Sequence, residues 1–267
     1  MTEDLAIWAY AVADSIEREW LDGMTGVGGH PVHTAQGAGL AAAVTAVPLD
    51  EYGEEPLRHH LEDIAWLEAT AVTHHRVIET IARHRRVVPM RLATMYHSDA
   101  SVAAMLTARR AELTAALGRV EGRTEWGVKV YAAHSVHPAI AAESPAAAPA
   151  GPAPSSPGIA YLRRRRTELS AREDARRDAV ASAEDIHSSL RPLTVAAQLR
   201  VPQDPRLTGM AEPMILNGAY LVQDTQSAEF AAAVHNLAGR HPGVRIELTG
   251  PWPPYSFAAV DGLGAAV

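Results

Sequence analysis

The sequence EWGVKVY at residues 125–131 begins the part of the chain whose element order decides the fold. Its residues 126–131 predict a strand. Working outward toward the carboxyl terminus, the pattern predicts a long helix at 160–190, strands at 195–201 and 214–222, a helix at 228–237 and a last strand at 244–248. This β-α-β-β-α-β order is the ferredoxin-like, or split βαβ, arrangement. We therefore predict an α+β protein whose carboxyl-terminal domain is ferredoxin-like with an extended helix.

Toward the amino terminus, residues 1–122 precede the segment 123–267 that has the ferredoxin-like order, and a chain of 267 residues forms one or two domains. The elements predicted there are a strand at 7–12, two strands within 32–47, a helix at 57–86, and a helix that Ser98 caps and Gly118 stops. A Pro/Ala-rich insertion near 138–157 is predicted to be an exposed loop, because proline at this density blocks regular structure.

The closing nonapeptide TGPWPPYSF, at residues 249–257, contains three prolines and three aromatic residues. Proline locks φ and removes a backbone donor, so this segment is predicted to be stiff and cannot form the middle of a sheet. Two interpretations remain open. The segment is either a rigid cap over a core or a preorganised docking surface formed by Trp252, Tyr255 and Phe257.

These motifs together resemble the GvpL/GvpF family of gas vesicle accessory proteins. The resemblance runs through IWAYAV at 7–12, VVPMRLAT at 87–94, EWGVKVY and the closing nonapeptide. Leu92 and Ala93 depart from the Phe-Gly pair that is usual in the family, and residues 139–157 have no clear counterpart.

The resemblance implies two α+β domains, which we place at 1–122 and 123–267, and a structural or assembly role without catalysis. It implies binding to the small hydrophobic shell protein and other gas vesicle proteins, and a location at gas vesicles in the cytoplasm. No cofactor, metal or small-molecule substrate is expected.

Composition sets further expectations. The chain of 267 residues has no cysteine, which excludes disulfides and thiol catalysis. Its acidic start does not resemble a signal peptide, and its most apolar stretch, 38–47, is about half the roughly 20 residues that span a membrane. The net charge of −7 argues against general nucleic-acid affinity. We therefore expect a soluble protein with no membrane or nucleic-acid partner.

A metal-dependent enzyme using the His-rich helix 57–86 is the alternative hypothesis. The pairs at 59–60 and 74–75 are adjacent, and adjacent residues point about 100° apart on a helix. No two histidines there have the i, i+4 spacing of zinc helices. His59 and Asp63 have that spacing but supply only two ligands. Most of these histidines are predicted on solvated faces, with His75 partly buried.

The run RRRR at 163–166 is interpreted mainly as a solvated helix, because a helix spreads consecutive residues around its circumference. A partner-docking face that includes Arg163 and Arg166 is the second interpretation. An RNA-binding module is the third, since Tyr131 and Tyr220 are predicted on strands and sheet aromatics can stack on bases. The candidate partner-binding residues are thus Trp252, Tyr255, Phe257, Arg163 and Arg166.

Overall fold

The structure is a computed structural model that describes residues 4–133, 157–202 and 212–260. Most of the insertion predicted near 138–157 lies outside these residues. The chain falls into two compact units. The first comprises residues 1–126, 221–225 and 250–267, and the second comprises 127–220 and 226–249. The fold is mixed α/β with two antiparallel sheets. The domain boundary near residue 122 stays a prediction.

The sheet of the first unit is built around a fully buried strand. The strands are β1 (Leu5–Ala13), β2 (Val32–Gly37), β3 (Leu40–Pro48), β4 (Val88–Pro89) and β5 (Met95–Tyr96). Their order is β2-β3-β1-β4, and β5 also pairs with β1. Every side chain of β1 after Leu5 is buried. The continuous apolar run at 7–12 therefore predicted a buried strand correctly.

The hairpin between β2 and β3 turns at Ala38 and Gly39, as predicted from the glycines there. Both residues have positive φ, 51° and 77°, which suits the two-residue turns that join twisted strands. Gly37 also lies against α5 (Asp99–Ala108), since a Cβ at this position would be 2.5 Å from the carbonyl oxygen of Ala103. Glycine is thus needed there for a close backbone approach.

The helix predicted at 57–86 is two helices, so that prediction was wrong in its continuity. α3 (Glu54–Glu62) ends at Asp63, and α4 (Ile64–Ala82) begins after it. Asp63 is extended, with φ −84° and ψ 109°, and its Oδ1 accepts from the backbone N–H of Ala65 at 2.9 Å. The aspartate is therefore an N-cap that starts a new helix. Two short helices precede this pair, α1 (Arg18–Leu21) and α2 (Leu49–Tyr52).

The sequence also predicts one apolar face along this segment, because apolar residues recur at intervals of three, four and seven, at Leu57, Leu61, Ile64, Ala71, Ile78 and Ala82. That prediction was partly wrong. Ile64 was assigned to the buried face but is 80% exposed. The residues of α4 that are buried are Thr70, His74, Val77, Ile78 and Ile81. The prediction assumed one continuous helix from residue 57 to residue 86. Because the helix breaks at Asp63, the face that packs on the core in α4 is not a continuation of a face of α3.

Ser98 caps α5 as predicted, and its hydroxyl and that of Ser101 form a capping box. The predicted single helix is divided, because Arg109 leaves helical geometry with φ −105° and ψ 15°. α6 (Arg110–Val120) then passes through Gly118, so the predicted stop at that glycine was wrong. The helix α6 buries Leu113, Ala116, Leu117 and Val120. The stabilisation from burying these side chains outweighs the roughly 1 kcal/mol by which a glycine destabilises a helix.

The second half of the chain follows the predicted order of elements. They are β6 (Arg123–Ala132), α7 (Pro157–Leu190), β7 (Ala196–Leu199), β8 (Met214–Gln223), α8 (Ser227–Arg240) and β9 (Val244–Trp252). The strands lie in the order β7-β8-β6-β9. The core of the second unit includes Ile186 and Leu190 of α7, Tyr220 of β8 and Phe230 of α8.

Candidate partner-binding site

The closing nonapeptide continues the edge strand β9 and then turns. Pro251 lies in β9 at the edge of its sheet, which is where prolines in strands are normally found because they cannot donate to the hydrogen-bond ladder. The prediction that this segment cannot lie in the middle of a sheet is confirmed. After Trp252 the backbone turns, and the N–H of Tyr255 donates to the carbonyl of Pro253 at 2.8 Å. The N–H of Ala258 donates to the carbonyl of Pro254 at 2.9 Å.

A buried carboxylate holds this turn. Glu125 is 7% exposed, and its Oε2 accepts from the backbone N–H of Ser256 at 2.7 Å. Its Oε1 accepts from the hydroxyl of Ser256. A carboxylate that accepts two hydrogen bonds makes charge-assisted contacts, which are stronger than neutral ones. The turn is therefore fastened to a residue 131 positions earlier in the chain.

His75 of α4 contacts both aromatic residues at the start of the turn. The rings of His75 and Trp252 have centroids 5.2 Å apart in an edge-to-face arrangement. The Oη of Tyr255 lies 2.9 Å from Nδ1 of His75. Burial raises the pKa of Tyr255 above its usual range, and the carboxylates of Glu125 and Glu79 raise it further. Tyr255 therefore stays protonated, and its hydroxyl is hydrogen-bonded to His75, which is half-buried as predicted.

The three predicted aromatic residues differ in exposure. Trp252 is 41% exposed, Tyr255 is half-buried and Phe257 is 8% exposed. The segment therefore has features of both interpretations, since Phe257 packs inward while Trp252 keeps an exposed face. Binding of a partner by these residues stays a prediction, and Trp252 offers the largest exposed area for it.

A cleft of about 350 Å³ lies beside Trp252 within the first unit. Pro253 and Pro254 form part of its wall, and arginines from the end of α4 form another part. Arg83 is bonded to Glu79 at 2.8 Å, and Arg86 to Asp14 at 2.7 Å. The cleft combines rigid apolar groups with positioned charges, a composition that suits binding of a peptide or side chain.

Arg163 and Arg166 lie on α7, and both are exposed. They belong to the second unit, whereas Trp252, Tyr255 and Phe257 belong to the first. The predicted site residues thus form two groups, and each group is a separate candidate surface.

His74 is the buried histidine of α4, and both of its ring nitrogens are hydrogen-bonded within the protein. Nε1–H of Trp8 donates to Nδ1 of His74 at 2.9 Å, and Nε2–H of His74 donates to the carbonyl of Met90 at 3.1 Å. Burial lowers the pKa of His74 to about 4, although the bond to Met90 acts in the opposite direction. Both ring nitrogens are occupied, so neither is available to a metal.

The metal hypothesis gains no support from the other candidates. His59 directs Nδ1 at the carbonyl of Glu55, at 2.9 Å, and Asp63 caps α4. Across the described residues, no group of three His, Asp or Glu side chains has the proximity that a metal site requires.

The two tyrosines considered for RNA binding are on strands but are not free to stack on bases. Tyr220 of β8 contacts His187 of α7 at 2.9 Å and packs against Phe230 of α8. Tyr131 of β6 is covered by the guanidinium of Arg245, 4.1 Å from the ring centroid. A base-stacking platform needs open ring faces.

Sequence reasoning missed Glu125 as the residue that fixes the turn. It stands at the start of the EWGVKVY motif, just before the predicted strand 126–131, where a charged residue has no unusual local feature. Its contact with Ser256 joins residues 131 positions apart, and no spacing rule connects residues so far apart. The cleft was missed for the same reason.

Comparison with known proteins identifies the family. The family model described as "Gas vesicle synthesis protein GvpL/GvpF" matches residues 6–259. Gas vesicle protein L of Streptomyces sp. (strain CB03234) is 37% identical over 260 residues, which cover 97% of this chain and 95% of that protein. Gas vesicle protein F2 of Halobacterium salinarum (strain ATCC 700922 / JCM 11081 / NRC-1) is 24% identical over 196 residues, 72% of this chain and 70% of that protein. The chain therefore belongs to the GvpL/GvpF family.

Solved structures share the fold. The crystal structure of GvpF from Anabaena sp. PCC7120 has a TM-score of 0.67 at 17% identity, covering 98% of this chain and 100% of that chain. GvpF from Microcystis aeruginosa gives a TM-score of 0.65 at 18% identity, covering 96% and 99%. Among the described residues, no helix has the length and apolar character needed to cross a membrane.

Proposed function

We propose that this protein is a non-enzymatic accessory protein of gas vesicle assembly that binds the small hydrophobic shell protein and other gas vesicle proteins. The observation that carries the proposal is the family match over residues 6–259, together with 37% identity to a gas vesicle protein L over nearly the whole chain. Its place of action is then the cytoplasm, at the growing gas vesicle.

We infer a two-domain protein with a ferredoxin-like second domain at 123–267. Two observations support this inference: the element order β-α-β-β-α-β and the strand order β7-β8-β6-β9. That fold hosts many unrelated functions, so the function rests on family membership and on the surfaces, not on the fold.

The first surface that supports partner binding is the one around Trp252. An aromatic side chain that is partly exposed and held rigidly loses little conformational entropy when it binds, which favours its use as an anchor. His75 and the prolines on both sides hold Trp252, and the adjacent cleft offers room for a side chain of the partner. Exposed Arg163 and Arg166 on α7 form the second candidate surface.

The experiment is a pulldown of the purified shell protein and of the other gas vesicle proteins with tagged full-length chain. We expect the wild-type protein to retain at least one of them and Trp252→Ala to retain clearly less. Ile64→Ala is the matched control, because Ile64 is a large exposed apolar side chain elsewhere in the first unit. The proposal is wrong if the wild-type protein retains none of these proteins at low or high salt and a deletion strain still forms normal vesicles.

A further inference from the structure

The long helix α7 changes character along its length. Its carboxyl-terminal part packs into the second unit through Ala179, Ala183, Ile186 and Leu190, which are spaced by three or four residues. In contrast, every described side chain from 161 to 178 is exposed, apart from the half-buried Ala171. Over about five helical turns, the described side chains thus leave no face buried. Most helices in proteins depend on packing of an apolar face for their stability.

The exposed half nevertheless has an apolar stripe. Tyr161, Leu162 and Leu169 are 64%, 65% and 53% exposed. At 100° per residue, these three side chains fall within an arc of about 100° that also contains Ala183 and Leu190. The stripe that is packed at the carboxyl-terminal end of α7 therefore continues, uncovered, toward the amino-terminal end.

The charges beside this stripe are mainly positive. Arg165 and Arg176 fall on the same arc, with Glu173 at its margin, whereas Asp174 and Asp178 fall on the opposite side of the helix. Asp174 is also paired with Arg177. Residues 163–178 contain seven arginines and four acidic residues, in a chain whose net charge is −7. The stripe is thus a locally basic surface on an acidic protein.

We propose that this stripe, defined by Tyr161, Leu162, Arg165, Leu169 and Arg176, binds an acidic amphipathic helix of another gas vesicle protein. Charge complementarity selects an acidic partner. The narrow width of the stripe selects a helix, whose ridge of side chains fits between the leucines and continues the packing of α7. A lipid surface is less suited, because three large apolar side chains over about five turns are few for an interfacial helix.

The proposal rests on the proposed function only for the origin of the partner. Its first test therefore uses a synthetic probe, a fluorescein-labelled peptide of about 20 residues with leucine on one face and glutamate beside it. The full-length protein is titrated into this peptide, and binding is followed by fluorescence anisotropy. We expect saturable binding that weakens as salt is raised.

Two pairs of variants localise the binding. Leu162→Asp and Leu169→Asp remove the stripe, whereas Thr167→Asp and Ser170→Asp add the same charge on the opposite side of the helix. All four side chains are exposed, so folding is unaffected, which circular dichroism checks. We expect each leucine variant to bind at least about tenfold more weakly, since burying a leucine is worth a factor of that order. We expect the two controls to bind within about twofold of wild type.

Several results would overturn the proposal. One is equal binding by all four variants, and another is no binding by the wild type. Binding to vesicles of phosphatidylserine and phosphatidylcholine, but not to the peptide, would assign the stripe to a lipid surface. A dimer in light scattering that Leu162→Asp dissociates would assign it to a second copy of the chain.

The same variants separate this proposal from the proposed function. If the wild type captures gas vesicle proteins and Leu162→Asp captures them equally well, the stripe proposal fails and the assembly role stands. If the wild type captures none of them but binds the peptide through Leu162 and Leu169, the assembly role fails, and the stripe is a binding surface for an acidic helix of another origin.

Discussion

Acidification should destabilise the first unit through His74. Nδ1 of this ring accepts from Trp8, and Nε2–H donates to Met90, so the histidine is neutral with its proton on Nε2. A second proton would have to bind Nδ1, where it would face the indole N–H and end that hydrogen bond. The charged ring would also be buried, at 4% exposure, without an anionic partner among these contacts.

The magnitude follows from the pKa of His74 in the two states. Burial lowers this pKa from 6.5 to about 4 in the folded protein. Because the folded-state pKa is below the unfolded-state value, the stabilisation is fully present above about pH 6.5 and is lost as pH falls through about 4. The difference corresponds to about 3 kcal/mol of unfolding free energy.

Urea denaturation of wild type and His74→Gln, from about pH 7 to about pH 4, measures this loss. Glutamine keeps an acceptor for Trp8 and a donor for Met90 but does not titrate. We expect the wild type to lose about 3 kcal/mol more than the variant over this range. His59→Gln, on an exposed face, controls for removal of a histidine. Parallel stability profiles for wild type and His74→Gln would refute the reasoning.

Three further predictions concern the turn and the helix start. Glu125→Ala removes the carboxylate that accepts from the N–H and the hydroxyl of Ser256, so we expect a loss of about 1–3 kcal/mol in urea denaturation, and an unchanged midpoint would contradict the role of the carboxylate. Gly250→Ala introduces a Cβ 2.9 Å from the carbonyl oxygen of Glu125 at φ 119°, so we expect a loss of at least about 1 kcal/mol. Gly243→Ala, which meets nothing within 4 Å, is its control and should lower the thermal midpoint much less. Asp63→Ala removes the cap of α4 and should cost about 0.5–2 kcal/mol, with loss of helical circular dichroism; full retention of both signals would argue against the cap.

Local patterns predicted the fold well where the deciding interactions are local. Ser98 was identified as a cap because its hydroxyl bonds only three residues away. The alternation at 244–248 predicted the start of β9, since period 2 follows directly from strand geometry. The split of the helix at 57–86 was missed because an aspartate can either continue a helix or cap a new one. At Asp63 the aspartate takes the second role and caps α4, and the packing of α3 and α4, which the local sequence does not show, decides this outcome.

The candidate site was predictable only in part. Proline spacing indicated a stiff segment that carries Trp252, because proline acts on the backbone locally. It could not indicate that Phe257 packs inward or that His75 contacts Trp252 and Tyr255, since those contacts join residues about 180 positions apart. The burial of His74 was missed likewise, because a histidine on a helix reveals no partner until Trp8 is placed beside it.

The bond between Glu125 and Ser256 has a consequence for how the chain is made. The first compact unit includes residues 250–267, so that unit cannot be complete until the whole of the second unit, which ends at residue 249, has been synthesised. Until residues 252–256 have been synthesised, His75 has no contact with Trp252 or Tyr255, and Glu125 has no contact with Ser256. Contacts of such long sequence separation form late. A nascent chain that has not yet reached residue 256 therefore exposes the surface of the first unit against which the turn after Trp252 packs.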